Sequence, residues 1–299
     1  MNVAGILIAT ALRLGESTAV KLDDAALSYR ALDAASARVA ALLCGRGVAP
    51  GDRVGVMLPN VPELAVVYYG ILRAGGVVVP LNVLLEEREV AFCLSDSGTR
   101  LLLAWHALAE VVEVGAGKAE TDCLFVTPGE FGWLLGGVRP DRDLRERDAA
   151  DTAVILSAPA SAPVAPPESA ELTHAGLRRE ADGAVRAHAL VSDDVVLSTL
   201  PLADCCGQAW PLNATIRAGG CLTLVERFDA GKALEVIARD GATVLHGAPT
   251  AYAALLDHPD RVEYDLSTLR ICVSVGAPMP AGTLRGLEQA FGCRVVEER

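Results

Sequence analysis

The sequence predicts an α/β protein made of two units, each built on a mainly parallel sheet with helices on both faces. Three observations predict it. Short, nearly continuous apolar runs recur along the chain, as in "DRVGVMLP", "VVVPLN", "TRLLLAW", "DVVLSTLP" and "ATVLHG", and strands of that kind are buried on both faces of a parallel sheet. Between these runs lie stretches with apolar residues at helical spacing, so strand and helix alternate. The chain has 299 residues, 52% hydrophobic and 21% charged, enough to bury a substantial core.

The elements follow in order. Residues 31–44 place Leu32, Ala35, Val39, Leu42 and Leu43 on one helical face, and Gly45 supplies a stop. Residues 52–59 read as a buried strand, 62–76 as a helix ending in glycines and 77–82 as a strand. Residues 86–98 read as a helix and 99–105 as a strand. The Gly, Pro and charge clusters of 113–150 read as a loop-rich link. The pattern resumes with a strand at 152–157, a Pro/Ala spacer, a helix at 174–190 with Thr173 as its N-cap, and strands at 194–201 and 219–228. Helices at 230–241, 249–259 and 280–292 alternate with strands at 242–247, 269–278 and from 293 onward. The two units are read as 1–150 and 151–299.

Composition excludes several classes. A net charge of −12 repels phosphate backbones, so nucleic-acid binding is not expected. The eight cysteines show no CxxC or Cys/His spacing, so no metal site is expected, and most lie in apolar runs as small hydrophobes. Reduced cysteines point to a cytoplasmic protein. No apolar run has the length of a membrane span, and the N-terminus lacks the basic region of a signal peptide. His106, His188 and His258 read as surface or loop histidines, and the 139–151 charge run as a solvated linker.

The segments "LSYRALDAASARVAALL", "GDRVGVMLPNVPELAVVYYGILRAGGVVVPLN", "AELTHAGL", "RFDAGKALEVIARDGATVLHGAPTAYAALL" and "SVGAPMP" carry a family pattern in order along essentially the whole chain. Together they resemble the adenylate-forming acyl-CoA synthetase (AMP-dependent ligase) superfamily. The resemblance implies two stacked α/β subdomains, as in the family's large N-terminal domain. It also implies activation of a carboxylate with ATP and magnesium to an acyl-adenylate, followed by transfer to CoA or a carrier-protein thiol.

The sequence departs from that pattern at four places. The family's phosphate loop, Ser/Thr-Gly-Thr-Thr-Gly-x-Pro-Lys-Gly, presents backbone N–H groups and one lysine to the phosphates. Here the stretch runs from Ser157 through Pro159, Ser161, Pro163, Pro166, Pro167 and Glu168 to Ser169. It has no glycine, threonine or lysine, is two residues longer by count, and its four prolines each remove a donor. Glu168, near the lysine position, has the wrong sign for a triphosphate. The segment is expected to be extended and mobile. In "LPLADCCGQ" the family's aromatic–His pair becomes Ala203-Asp204, and in "SVGAP" the usual Gly-Gly becomes Val275-Gly276. Finally, the chain stops before the family's adenine- and magnesium-binding segment, third subdomain and small C-terminal domain.

The resemblance places the acyl pocket at Cys206, Gly207, Trp210, Gly247, Ala248, Pro249, Thr250, Ser274, Val275, Gly276, Ala277 and Pro278. Asp204, Cys205 and His246 are a tentative catalytic set, because Cys, His and Asp can serve as nucleophile, base and orienter. Asp204 could instead act as a general base, and adjacent cysteines are also ordinary core filler. The expectation is an acyl-CoA-synthetase-like protein without ATP-dependent adenylation that binds an acyl group, acyl-CoA or acyl carrier protein. No cofactor is expected, with ATP and magnesium needed only if the family activity is retained. The alternatives are non-adenylating acyl transfer, cyclisation or hydrolysis by Asp204, Cys205 and His246, and an ATP-dependent ligase completed by a partner chain. Surface left bare by the missing domains predicts a homodimer or a partner enzyme.

Overall fold

The computed structural model describes residues 1–158, 168–202 and 211–298. It divides into two compact units, one of Met1–Gly15, Arg30–Pro59 and Glu63–Arg179, the other of Glu16–Tyr29, Asn60–Pro62 and Glu180–Arg299. The units therefore interleave along the sequence, whereas the sequence reading places a single seam at 150/151.

The chain opens with helix α1 (Gly5–Leu14), the antiparallel hairpin β1 (Thr18–Leu22) and β2 (Ala25–Ser28), and helix α2 (Tyr29–Gly45). Then follow β3 (Arg53–Met57), α3 (Pro62–Arg73), β4 (Val77–Pro80), α4 (Glu87–Ser97) and β5 (Leu101–Trp105). The region read as a loop-rich link holds α5 (Ala109–Lys118), β6 (Asp122–Val126) and α6 (Glu130–Gly136). The short run "DCLFV" suffices there because β6 only has to pair with one neighbour, β5. Next come β7 (Thr152–Ala158) and β8 (Glu168–Thr173), which pair antiparallel. The first unit's sheet has the order β6-β5-β3-β4-β7-β8. One of its faces is filled by Met57, Val79, Leu102 and Ala104 packed with Val90, Cys93 and Leu94 of α4 and Val112 and Ala116 of α5. Glycine at position 70 lets α3 press against α2. A Cβ there would lie 2.4 Å from Cγ1 of Val39.

The second half holds α7 (His174–Ala187), β9 (Val195–Ser198), α8 (Asn213–Ala218), β10 (Cys221–Leu224) and α9 (Ala230–Asp240). It ends with β11 (Val244–Gly247), α10 (Pro249–Asp257), β12 (Ile271–Ser274), α11 (Ala281–Phe291) and β13 (Arg294–Glu297). Thr173 Oγ1 accepts from Gly176 N at 3.0 Å, the hydrogen bond of an N-cap for α7. The second unit's sheet has the order β13-β12-β11-β9-β10-β1-β2, parallel throughout except for β2. Leu197, Leu245 and Cys272 on one face pack with Leu234 and Ile237 of α9, Tyr252 and Leu255 of α10, and Leu287 and Phe291 of α11. His188, read as a surface histidine, is buried, and its Nε2 lies 2.5 Å from the Glu298 carboxylate. That carboxylate supplies a partner for Nε2 of the buried ring.

The α2–α3 contact yields a test. Gly70→Ala forces a methyl onto Val39 and should cost about 1–3 kcal/mol in denaturant unfolding. Gly132→Ala, in α6 with open space around it, should be neutral or stabilising by up to ~1 kcal/mol.

Candidate functional site

The site follows from the strand order of the second unit. From β9 the chain crosses through α8 to β10 on one side. From β10 it crosses through α9 to β11 on the other side of β9. The strand order therefore reverses between β9 and β11, and such a switch point is the usual place for a ligand in an open α/β sheet. Right-handed crossovers then put α8 on one face and α9 on the other. The packing of α9, α10 and α11 on a common face agrees.

The carboxyl ends of the adjacent strands β11 and β12 bring together His246 and the acyl-pocket candidates that fall within the described chain. His246 and Gly247 end β11, Ala248 precedes α10, and Pro249 and Thr250 open that helix. Proline suits this first helical position, where its missing N–H is no loss. Ser274 ends β12 and runs into Val275, Gly276, Ala277 and Pro278. Two hydrogen bonds carry the sheet past its strand ends: Thr199 N donates to the His246 carbonyl at 2.8 Å, and Val275 N to the Gly247 carbonyl at 3.1 Å. Gly247 is obligatory in this arrangement, because a Cβ would sit 2.3 Å from Oγ1 of Thr199. The Tyr252 hydroxyl lies 2.8 Å from the carbonyls of both Leu245 and Val273, tying α10 to both strands from beneath. Gly276, Ala277 and Pro278 are exposed, whereas Ser274 is fully buried. The Ser274 Oγ has no hydrogen-bond partner among the described residues.

His246 is fully buried, with Nδ1 3.5 Å from Oγ of Ser198. Burial pushes its pKa down to about 4; the Glu298 carboxylate pulls it upward and His188 downward. The ring is therefore neutral at physiological pH. Asp204, Cys205, Cys206, Gly207 and Trp210 lie outside the described residues. So do Pro159, Ser161, Pro163, Pro166 and Pro167, and with them the expected extended segment. Their frame is described: β7 and β8 stay in register from Val154↔Leu172 to Ala158↔Glu168, with Ser157 opposite Ser169.

Two positioning residues were not singled out from sequence. The Asn60 side chain donates to the Leu200 carbonyl at 3.0 Å and accepts from Leu202 N at 2.8 Å. It clamps the segment that leads into Ala203 and Asp204. The Glu297 carboxylate accepts from Met279 N at 2.6 Å and so holds the far end of the 275–278 loop. Asn60 lies in "LPNVPE" directly after a strand, where a polar residue between prolines is the only available signal.

The first unit has a separate cleft of about 560 Å3 beside β7 and β8, lined by Arg53, Asp96, Arg147, Asp151 and Glu171 among others. Arg147 pairs with Asp151 at 3.0 Å, Ser169 donates to Asp96 at 2.6 Å, and Thr152 to Glu171 at 2.6 Å. Its charges are committed to these neighbours, so we do not assign the chemistry there.

Two outcomes follow from this geometry. Asn60→Ala, which strips partners from the buried Leu202 amide and the Leu200 carbonyl, should cost about 1–3 kcal/mol in unfolding free energy. The depressed His246 pKa means that the unfolded chain takes up a proton before the folded one. Stability should therefore be intact above pH 6.5 and fall between pH 6.5 and about 4, by roughly 3 kcal/mol for this group. His174, also pushed down to about 4 mainly by burial, acts with the same sign. Unfolding midpoints measured across that range should drop less steeply in His246→Gln.

Known proteins bear on this architecture. The family of AMP-binding enzymes matches residues 8–298. A feruloyl-CoA synthase of Amycolatopsis sp is 33% identical over 265 residues, covering 89% of this chain and 52% of that protein. A long-chain-fatty-acid–CoA ligase of Bacillus subtilis (strain 168) is 26% identical over 329 residues, covering 99% of this chain and 59% of that protein. Apo MatB from Rhodopseudomonas palustris matches with a TM-score of 0.86 at 28% identity, over 100% of this chain and 60% of its own. The anthranilate CoA ligase AuaEII, solved with anthranoyl-AMP, has a TM-score of 0.92 over 99% of this chain and 59% of its own; at 23% identity it speaks for the fold alone. The chain thus spans about half the length of the curated relatives it matches. With the family pattern extending from residue 8 to residue 298, the chain belongs to the AMP-binding enzymes, the adenylate-forming acyl-CoA ligase family.

Proposed function

We propose that this chain binds an acyl group, presented on CoA or on a carrier protein, at the carboxyl edge of its seven-stranded sheet, and that it does not adenylate a carboxylate by itself. The observation that carries this reading is the 157–169 stretch. It occupies the family's phosphate loop between two paired strands, yet it has no lysine or glycine, loses four amide donors to proline, and places a carboxylate at position 168. A triphosphate needs converging N–H donors and positive charge, so this donor set does not fit ATP, and no step is assigned to ATP or magnesium. The acyl side of the reading is supported by the reversal of strand order at β9, the Gly247 close approach and the buried Ser274 hydroxyl, which has no partner among the described residues.

In this reading His246 serves as a neutral polar wall rather than a base, since a base with a pKa of about 4 takes up few protons at neutral pH. Asp204 disfavours a free carboxylate and so favours a neutral thioester carbonyl. The protein works in the cytoplasm. A second reading, acyl transfer or hydrolysis through Asp204 and Cys205, draws support from the Asn60 clamp, which fixes the chain immediately before them.

Thermal-shift titration tests the first reading. Acyl-CoA or acyl carrier protein should raise the unfolding midpoint and ATP–Mg should not, with no pyrophosphate released from any of a panel of carboxylic acids. Pyrophosphate release above background would overturn it. Thioester consumption lost in Asp204→Asn or Cys205→Ala, without pyrophosphate, would establish the second reading instead.

A further inference from the structure

Cys272 lies on β12, and Cys293 stands immediately before β13, the last strand in the second unit's order. They are 0% and 6% exposed, and their Sγ atoms are 3.4 Å apart. They lie 21 positions apart in sequence, joined by the 275–280 loop and α11, and are brought together by the pairing of Ile271 with Arg294 and of Cys272 with Val295. A disulfide needs about 2.05 Å between sulfurs, so the pair closes with a movement of roughly 1.4 Å.

We propose that a hydroperoxide converts Cys272 and Cys293 to a disulfide that locks β13 onto β12. The Cys293 thiolate attacks the peroxide O–O bond and becomes a sulfenic acid, releasing hydroxide or alkoxide. The Cys272 thiol then attacks the sulfenic sulfur, forming the S–S bond and releasing water. Two thiols are oxidised and one peroxide is reduced. The order of attack follows from exposure: Cys272 is fully buried whereas Cys293 keeps a little surface through which a peroxide meets it first, and the hydrogen bond between the two sulfurs acts in the same sense, lowering the Cys293 pKa and raising that of Cys272.

The lock matters because of what β13 carries. Glu297 holds Met279 N, while Glu298 donates its own N–H to the Ser274 carbonyl at 2.8 Å and its carboxylate meets His188. Fixing β13 therefore fixes both ends of the 275–278 loop.

Peptide mapping of the unaltered protein is the first test. Cleavage after Arg270, Arg285 and Arg294 puts Cys272 in peptide 271–285 and Cys293 in peptide 286–294. After treatment of the folded, reduced protein with hydrogen peroxide and alkylation, these two peptides should appear joined, about 2 Da below their sum, and separate on reduction. Amide exchange over 275–285 should slow by several-fold in the oxidised protein, and Cys293→Ser should abolish both effects. Recovery of the two peptides only as separate species, or of either cysteine joined elsewhere, would overturn the pairing. A 272–293 link that leaves exchange over 275–285 unchanged would overturn the lock.

Discussion

Backbone hydrogen bonding forces the chain apart at β9. Parallel strands cannot be joined by tight turns, so each connection must cross a face of the sheet through a helix. Because β10 lies on one side of β9 and β11 on the other, the strand order reverses at β9, and the carboxyl ends at such a reversal are where open α/β sheets commonly take a ligand. The rest of the candidate site depends on that reversal. Thr199 and Val275 extend the ladder past the strand ends through the carbonyls of His246 and Gly247. The missing side chain at position 247 lets the Thr199 hydroxyl occupy the space a Cβ would take. Burial beneath the same edge keeps His246 neutral.

Much of this fold was legible in the sequence because parallel strands announce themselves as unbroken apolar runs. β3, β4, β5, β7, β9, β11 and β12 all lie where such runs were read. Besides α1, β1 and the elements within 109–136, which were also not read, three missed elements have a different physics. β2 and β8 are antiparallel end strands with half-polar sequences, "AALS" and "ESAELT", and owe their form to one neighbour rather than to their own burial. α8, "NATIRA", is six residues long, too short for periodicity to register. At the candidate site, the sets around Gly247 and Val275 could be named only through the family resemblance. Asn60 could not be assigned a role, because it acts on Leu202, 142 positions away, and such a contact exists only after both segments are placed. The cysteine pair is similar: each residue reads alone as a small hydrophobe, and only strand pairing sets the sulfurs side by side.

The β7–β8 hairpin shows that a frame and its contents can part company. The frame is held by backbone pairing, which tolerates almost any side chain, and it remains in register to Ala158↔Glu168. Phosphate binding depends instead on glycine conformations, free amide donors and a lysine charge, none of which backbone pairing protects. The edge proposed to take the acyl group is more constrained, because Gly247, Thr199 and Tyr252 are packing residues whose loss would disturb the sheet. The proposed division, an acyl edge kept and a phosphate loop rewritten, is thus a coherent physical state.

Amide hydrogen exchange tests that division of labour most directly, because it reports on both places in one experiment. With a saturating acyl-CoA, the account predicts slowed exchange over 199–202, 246–250 and 274–279 and no change over 152–158 or 168–173; ATP–Mg should slow exchange at neither. Protection of 152–158 and 168–173 by ATP–Mg would contradict the account, and would mean that the proline-rich stretch still grips phosphate.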